Sequence, residues 1–284
     1  MSRRDHNGPG LSPAAGRIQV DAALLARLAA RLTERDRWLL RLLHEHRVLT
    51  LPQLTQLAFP SPRAARHRML MLYQHAVLDR FRPSLPIGSA PHHYLLGPAG
   101  AAVLSAEQGR DIGYRAEHVA ALAHSAKLAH LVGANTVFTT LAAHARHTPG
   151  CELERWWSEH RCRQSWHGAV RPDGYGRWRD GGRGIDFFLE YDTGTEPLAR
   201  VAAKLPSYQR LADSSGITDT AVVFVLPTAA RERNLHALLR PGSVVPVATA
   251  LTAGNPAAAV WLPVGGTTRL PLTALLPSPA PEPW

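Results

Sequence analysis

The sequence predicts an α+β protein in two parts, and three observations carry that prediction. Within residues 33–96, segments with apolar residues at helical spacing are followed by two short alternating segments around a Pro/Gly-rich tip. From residue 152 onward, apolar strands are interleaved with helical segments, as in a mixed α/β sandwich. Neither GxGxxG nor GxxxxGK[ST] occurs, which argues against a Rossmann or P-loop nucleotide-binding unit.

Charge is distributed unevenly along the 284 residues. Residues 1–150 contain 18 Lys and Arg against 9 Asp and Glu, whereas residues 151–284 contain 14 against 13. A cationic first half predicts a module that binds a polyanion. Only Lys127 and Lys204 are lysines, and all other basic residues are Arg.

The composition excludes several other classes of protein. No apolar run reaches the 18 residues of a membrane span, and the first residues lack the apolar core of a signal peptide, so we expect a cytoplasmic protein. Cys151 and Cys162 are too few for a disulfide framework or a zinc site. We expect a disordered or helical leader, a first domain, a second domain and a Pro-rich tail at residues 1–30, 31–115, 116–270 and 271–284.

Three helices and a hairpin are predicted in the first domain. Thr33 begins the first helix with a capping box, Thr50 begins the second in the same way, and Ser61 followed by Pro begins the third. Residues 77–82 and 92–96 alternate as a pair of strands. This order is typical of a winged helix-turn-helix, whose third helix lies in the DNA major groove.

The charge of this domain fits a nucleic-acid-binding role, because residues 31–82 contain ten Arg against four acidic residues. Arginine neutralises phosphates or forks to guanine edges, and the sequence leaves both roles open. The alternative is a winged helix that contacts only proteins and whose basic face is solvated. The candidate DNA-binding residues are Arg63, Arg66, His67, Gln74, Arg80 and Arg82.

A long helical segment, predicted from residue 116 to 147 with an interruption near Gly133, begins the second domain. Three strands follow, then a helix that Pro206 should kink or end, and then a strand, a helix and a strand. The predicted bounds of these strands are residues 152–157, 170–178, 185–192, 220–226 and 244–251, and the last helix spans residues 229–239.

Acidic residues gather on one face of the third of these strands. Alternation places Asp186, Glu190 and Asp192 on that face, where like charges repel unless they meet a cation or solvent. Asp173 on the neighbouring strand would complete, with Glu190, an oxygen cage of the kind that Mg²⁺ prefers. Lys204 on the following helix would orient an attacking water or neutralise charge.

These residues predict a Mg²⁺-dependent DNA endonuclease in which Asp173, Glu190 and Lys204 are catalytic and the two carboxylates bind the metal. Mg²⁺ is expected as a cofactor only if this nuclease is active. The alternative is structural: Asp186 and Asp192 lie at solvated strand ends, and Glu190 stabilises the fold as the ion-pair partner of Arg200 or Lys204.

Three segments resemble the replication-relaxation family of actinobacterial plasmids and integrative elements. They are LTERDRWLLRLLHEHRVLTLPQL, the helix HLVGANTVFTTL and the block RPD…FFLEYDTGTEP…KLPSY, and the resemblance spans about residues 32–239. It implies a DNA-binding role in plasmid replication, relaxation or mobilisation. The expected partners are double-stranded DNA, relaxase or replication proteins, and a second copy of the chain in a homodimer.

The second half also resembles the PD-(D/E)xK nuclease fold, through Pro172-Asp173 and Glu190. Asp192 stands where that fold has its lysine, and Lys204, one helix later, resembles a migrated substitute. The expected fold is therefore an N-terminal winged helix-turn-helix followed by a mixed α/β restriction-endonuclease-like domain. The alternative function is a non-catalytic transcriptional regulator or relaxosome accessory protein with a degenerate nuclease fold.

Overall fold

The structure is a computed structural model that describes residues 20–85, 87–215, 219–239 and 245–276. It is a mixed α+β fold, as predicted, and it divides into two compact units between Val132 and Gly133, named here unit 1 and unit 2. None of the helices within the described residues is long and apolar enough to cross a bilayer. The domain bounds at residues 31, 116 and 271 stay predictions, and most of the leader (residues 1–19) and of the tail (residues 277–284) lies outside the described residues.

Unit 1 combines helices with a three-stranded antiparallel sheet. In chain order its elements are α1 (Ala22–Arg31), α2 (Glu34–His46), β1 (Leu49–Thr50), α3 (Leu51–Ala58), α4 (Pro62–Gln74), β2 (Leu78–Phe81), β3 (His93–Leu96), α5 (Pro98–Gln108) and α6 (Ala116–Ala123). The sheet has the order β1-β3-β2, so β3 pairs both with the short strand before α3 and with its hairpin partner after α4.

Side-chain caps begin the helices of unit 1 at the predicted residues. Thr33 closes a capping box at α2 and Thr50 closes one at α3, so the first backbone N–H groups of both helices are satisfied. At α4 the Ser61 hydroxyl accepts a hydrogen bond from the N–H of Ala64, and Pro62 occupies the first turn. These caps fix where α4 begins and therefore which of its residues face outward.

The predicted interruption of the helix near Gly133 is wrong. α6 ends at Ala123, and α7 (Leu128–His147) then continues unbroken through Gly133. A side chain at that glycine would lie 2.2 Å from the ring of Tyr191, so Gly133 permits close packing inside a helix rather than ending it.

A six-stranded mixed sheet forms the centre of unit 2. Its strands are β4 (Glu152–Ser158), β5 (Gly174–Asp180), β6 (Arg183–Tyr191), β7 (Thr220–Leu226), β8 (Val247–Leu251) and β9 (Leu262–Pro263). They follow one another across the sheet in chain order, with β4 to β6 antiparallel, β6 to β8 parallel, and β9 antiparallel to β8. The helices of this unit after α7 are α8 (Glu159–Ser165), α9 (Leu198–Ala202), α10 (Leu205–Ser215) and α11 (Ala229–Leu238).

Alternation along β6 divides the core of unit 2 between two faces of the sheet. Phe187 and Leu189 pack with Phe138 of α7 in one apolar cluster. Phe188 packs with Tyr208 of α10 in the other cluster, to which α9 and α11 also contribute. The sheet therefore has α7 on one face and α9 to α11 on the other, and Glu190 belongs to the second face, as the alternation predicts.

Besides shifts of a few residues at other strand and helix ends, three features of unit 2 differ from the sequence prediction. Asp173 was expected inside a strand, but it immediately precedes β5. The helix after Glu196, which Pro206 was expected to kink or end, is divided into two helices: the first ends at Ala202, before the proline, and Pro206 lies in the first turn of the second. At the other end of the unit, Leu272, expected in the Pro-rich tail, is buried in the core and begins a 3-10 turn.

Candidate functional site

The predicted carboxylate Glu190 is buried and bonded to two side chains from the next helical region. Only 2% of Glu190 is exposed. Its Oε2 accepts a hydrogen bond from Lys204 Nζ at 2.7 Å, and its Oε1 accepts one from the Tyr208 hydroxyl. Lys204 lies at the break before α10 and Tyr208 lies in the first turn of α10, so the break brings both donors to one carboxylate.

Asp173 is held next to Glu190 by the backbone of β6. The Asp173 N–H donates to the carbonyl of Leu189 at 2.9 Å, and Asp173 Oδ2 accepts from the N–H of Tyr191 at 2.7 Å. Asp173 is therefore bonded to the residues on both sides of Glu190. The structure thus brings together the three residues predicted as catalytic: Asp173, Glu190 and Lys204.

Burial and neighbouring charges oppose one another in this cluster. Burial, reinforced by the charge of Asp173, raises the pKa of Glu190 to about 7, although Lys204 and Tyr208 act to lower it. Burial alone would lower the pKa of Lys204, but the carboxylates of Glu190, Asp173 and Glu196 outweigh this effect and the pKa is raised. Lys204 therefore carries a positive charge at neutral pH. Glu190, whose pKa lies near 7, both gains and loses its proton in this pH range.

This cluster opens into a cleft of about 400 Å³ within unit 2. Glu190, Lys204 and Tyr208 line the cleft together with Arg171 and Arg200. Arg171 is exposed, and the Arg200 side chain is 74% exposed. The buried carboxylate therefore shares a solvent-connected cavity with three cationic side chains.

The donor set fits Mg²⁺ in kind but does not form a complete metal cage. No cluster of three or more His, Cys, Asp or Glu side chains able to hold a metal ion exists in the described part of the chain. Asp173 and Glu190 supply two hard carboxylates. Mg²⁺ commonly uses one or two carboxylates and fills its remaining positions with water and substrate phosphate, so these two residues suit it.

The other acids of β6 have structural partners. Asp192 is buried rather than solvated; it accepts from the N–H of Gly194 at 2.9 Å and forms an ion pair with Arg231. Asp186 accepts from the Tyr175 hydroxyl and pairs with Arg177 at 3.0 Å. Asp192 therefore fixes the end of β6 instead of joining the cluster.

In unit 1, α4 presents a polar face on the side opposite its buried residues. Ala65, Met69, Leu72 and Tyr73 are buried. The predicted DNA-binding residues on this helix are all exposed, and they are Arg63, Arg66, His67 and Gln74. Arg68 is not part of this set, because its guanidinium is bound to the buried Asp36 of α2.

The two candidate arginines of the hairpin each contact an aromatic residue, Arg80 over the face of a ring and Arg82 through a hydrogen bond to a ring nitrogen. The Arg80 guanidinium lies 4.2 Å from the centre of the Tyr73 ring. Arg82 Nη2 lies 3.0 Å from His92 Nδ1. Burial, together with the charges of both arginines, lowers the pKa of His92 to about 4, so this histidine is neutral at pH 7 and accepts the hydrogen bond.

A groove of about 810 Å³ runs between these elements of unit 1. Arg66 of α4 and the hairpin residues Arg80 and Arg82 line it. Apolar side chains, among them Leu70 and Tyr94, complete its wall. The structure thus brings together three of the six predicted DNA-binding residues, while Arg63, His67 and Gln74 lie on α4 outside the groove lining; the roles of all six stay predictions.

Sequence reasoning missed Tyr208 and Arg171. The presence of Pro206 argued against placing Tyr208 on the same helix as Lys204, although the spacing of four residues was a signal that both reach one side chain. Arg171 gave no signal, because its place in the cleft depends on how β5 and α10 pack.

Comparison with known proteins gives one match. A model of a family described as Replication-relaxation matches residues 40–225, which is more than half of the chain. The matched range contains the polar face of α4, the hairpin and the Asp173–Glu190–Lys204 cluster. No curated protein and no solved structure matches the chain.

Proposed function

Because this chain belongs to the replication-relaxation family, we propose that it is a DNA-binding protein that acts in the replication, relaxation or mobilisation of a plasmid or mobile element. The observation that carries the DNA-binding part is the exposed basic face of α4 beside the β2–β3 hairpin. The family supports the biological setting, and the surface chemistry supports the ligand.

The order of elements in unit 1 supports a winged helix-turn-helix as the reading module. A helix, a short strand, two helices and a hairpin are joined by a sheet of order β1-β3-β2. In this proposal α4 enters the major groove with its N-terminal half, where Arg63, Arg66 and His67 lie. The hairpin is the wing, and it contacts the DNA backbone through Arg82.

Arg80 and Arg66 differ in how firmly they are held. Arg80 is stacked on Tyr73, so its guanidinium loses little conformational freedom when a phosphate binds. Arg66 is an exposed side chain on α4, and it is suited to a guanine edge or to a phosphate of the bound duplex.

A titration of fluorescent duplex DNA, followed by anisotropy, tests this function. We expect Arg63→Ala/Arg66→Ala to bind at least about ten-fold more weakly than wild type, because two phosphate or base contacts are lost. The matched control is Arg27→Ala/Arg110→Ala, which removes the same charge from exposed positions of unit 1 outside α4. Equal affinities for the two double variants would exclude α4 as the reader.

A second candidate function, metal-dependent cleavage of DNA, is favoured by one observation: Asp173 and Lys204 lie beside the buried Glu190. Two acids from adjoining strands and a lysine are the functional groups of a PD-(D/E)xK-like nuclease. Mg²⁺ bound by the two carboxylates would lower the pKa of a water and neutralise charge on the phosphate.

The roles of the protein groups in this second function follow from their charge states. Lys204 has a raised pKa and remains an ammonium, so we assign it to stabilising negative charge on the phosphate and not to removing a proton. Tyr208 donates its hydroxyl to Glu190 and is a positioning residue for that carboxylate.

Incubation of supercoiled plasmid with Mg²⁺ or Mn²⁺ tests the cleavage. We expect wild type to nick the plasmid and Asp173→Asn to be inactive. Asp186→Asn is the control, since it neutralises another carboxylate that contacts β5 but is not bonded to Glu190. If wild type is as inert as Asp173→Asn on supercoiled, linear and single-stranded DNA, the non-catalytic regulator or accessory role replaces the nuclease.

A further inference from the structure

The cleft of unit 2 carries more positive charge than its buried carboxylate requires. Lys204 already pairs with Glu190 at 2.7 Å. Arg171 and Arg200 line the same cleft, and Glu190 is the one acidic side chain in its described lining. Two guanidinium groups therefore remain after the charge of Glu190 is balanced.

These two arginines remain accessible to a ligand. Arg171 is exposed, and the Arg200 side chain is 74% exposed. The ion pair of Arg200 with Glu196 is long, at 3.7 Å, and joins residues four apart on the surface. Such exposed pairs contribute little and are readily exchanged for a stronger anion.

The chemistry around the arginines suits a phosphodiester. Guanidinium groups form paired hydrogen bonds with phosphate oxygens, and hydroxyl groups add neutral donors. Ser207 and Tyr208 both line the cleft, and a volume of about 400 Å³ accommodates a nucleotide unit of a chain. Because Arg171 and Arg200 are exposed, a polymer can be bound without being enclosed.

We propose that Arg171 and Arg200 bind a phosphate of the DNA backbone in this cleft, as a DNA contact separate from α4. The inference rests on the proposed DNA-binding function but depends on different residues. It places a backbone phosphate beside Glu190, Lys204 and Tyr208, the side chains of the second candidate function.

The test compares variants of the full chain in duplex DNA binding across salt concentrations. We expect Arg171→Ala/Arg200→Ala to reduce the steepness of the slope of log affinity against log salt by about 0.9, because the two arginines are assigned to one duplex phosphate and each neutralised phosphate contributes about 0.9. The loss of affinity between 50 and 200 mM salt then becomes about three- to four-fold smaller than for wild type. Arg163→Ala/Arg233→Ala is the control, since both arginines are exposed in unit 2 and neither lines the cleft.

One further variant and two further measurements separate charge, folding and small-anion binding from the proposed DNA contact. Arg171→Lys/Arg200→Lys should retain the wild-type slope, because a lysine still displaces counterions at a phosphate. All variants should unfold at the wild-type temperature, since the replaced side chains are exposed. Titration with inorganic phosphate is the arm for a small anion: phosphate binding with no change in duplex binding on Arg171→Ala/Arg200→Ala overturns the proposal.

The outcomes distinguish this inference from the function on which it rests. If Arg63→Ala/Arg66→Ala weakens binding but Arg171→Ala/Arg200→Ala equals its control, the cleft contact is wrong and α4 remains the reader. If only Arg171→Ala/Arg200→Ala has an effect, the cleft contact is supported and α4 is not the reader. If wild type binds no DNA, both proposals fail.

Discussion

At the scale of single residues, the fold supplies a cation for most of the buried carboxylates in its described part, whereas Asp79 accepts a hydrogen bond from the Tyr114 hydroxyl. Asp36 is paired with Arg68, Glu190 with Lys204, and Asp192 with Arg231. Burying a charge without a partner is costly, so these cations are committed to the fold. The exposed arginines on α4 and around the cleft are not paired with any buried carboxylate that the structure describes, so they are accessible to a ligand.

The ion pair between Asp36 of α2 and Arg68 of α4 tests whether an arginine paired with a buried carboxylate is needed for folding. Arg68→Ala should destabilise the protein by about 3–5 kcal/mol, because it leaves the buried Asp36 charge unpaired. Arg63→Ala, five residues earlier on α4 and exposed, should change the free energy of unfolding by less than about 0.5 kcal/mol. Urea unfolding measures both values, and equal effects would show that Arg68 is not committed to the fold.

Glu190 should make stability depend on pH. Its pKa is raised from 4.5 to about 7 by burial and by Asp173, so the folded chain binds this proton more tightly than the unfolded chain. The contribution of Glu190 to stability is therefore greatest in acid and falls as pH rises through this range, by at most about 1.4 kcal/mol per pH unit.

Glu190→Gln should remove that part of the pH dependence. Glu152→Gln, which replaces an exposed glutamate on β4, should leave it unchanged. The measurement is the free energy of unfolding in urea at several values between pH 5 and pH 8. Parallel curves for wild type and Glu190→Gln would contradict the assigned titration of Glu190.

At the scale of elements, capping residues in the sequence predicted where helices begin, but the sequence did not predict where helices continue or break. The capping residues Thr33, Thr50 and Ser61 fixed α2, α3 and α4, because a cap is a local hydrogen bond. Elements without such a cap depend on tertiary packing, which the sequence does not show. α5 went unpredicted, since Gly100 lies in its interior, where a side chain would come within 2.2 Å of the Val77 carbonyl.

Short elements of unit 2 were missed for a related reason. α8 has one fully buried side chain, Cys162, so it lacks the apolar periodicity that marks a helix in sequence. β9 has only two residues and exists because β8 offers its edge for pairing.

The packing of α7 on the sheet gives a test at this scale. Gly176→Ala in β5 should destabilise unit 2 by about 1–3 kcal/mol, since the added methyl group would lie 2.6 Å from Phe187 and 2.8 Å from Phe138. Both rings are buried and stacked on each other, which leaves them little room to move.

The control for this prediction lies on the neighbouring strand. Gly184→Ala in β6 meets no atom closer than 3.9 Å, so its effect on the free energy of unfolding should stay within about 0.5 kcal/mol. Thermal or urea unfolding compares the two variants. A loss of stability in Gly184→Ala as large as in Gly176→Ala would contradict the packing argument.

At the scale of the whole molecule, the sequence located most of the residues of both candidate sites but not their surroundings. Asp173, Glu190 and Lys204 were predicted together, because acids on adjoining strands and a rare lysine stand out in an Arg-rich chain. Tyr208 and Arg171 were not, since only the packing of α10 against the sheet brings them to Glu190. The family match covers both sites.

The two candidate sites also divide the charge of the chain. The first half has nine more basic than acidic residues, and Arg63, Arg66, Arg80 and Arg82 of α4 and the hairpin are among its basic residues. The second half is nearly neutral, and three of its 14 basic residues, Arg171, Arg200 and Lys204, line one cleft. Binding of DNA phosphates is the property that this distribution predicts for both units.

The salt dependence of duplex binding by the full chain tests the central claim most directly. Wild type should give a slope of log affinity against log salt of about −3 or steeper, since Arg80, Arg82 and the pair Arg171 and Arg200 are assigned to backbone phosphates. Arg63→Ala/Arg66→Ala should bind at least about ten-fold more weakly, with a slope shallower by about 0.9 for each of the two arginines that contacts a phosphate. Binding that does not change with salt, or wild-type affinity in that variant, would contradict the assignment of α4 as the DNA-binding helix.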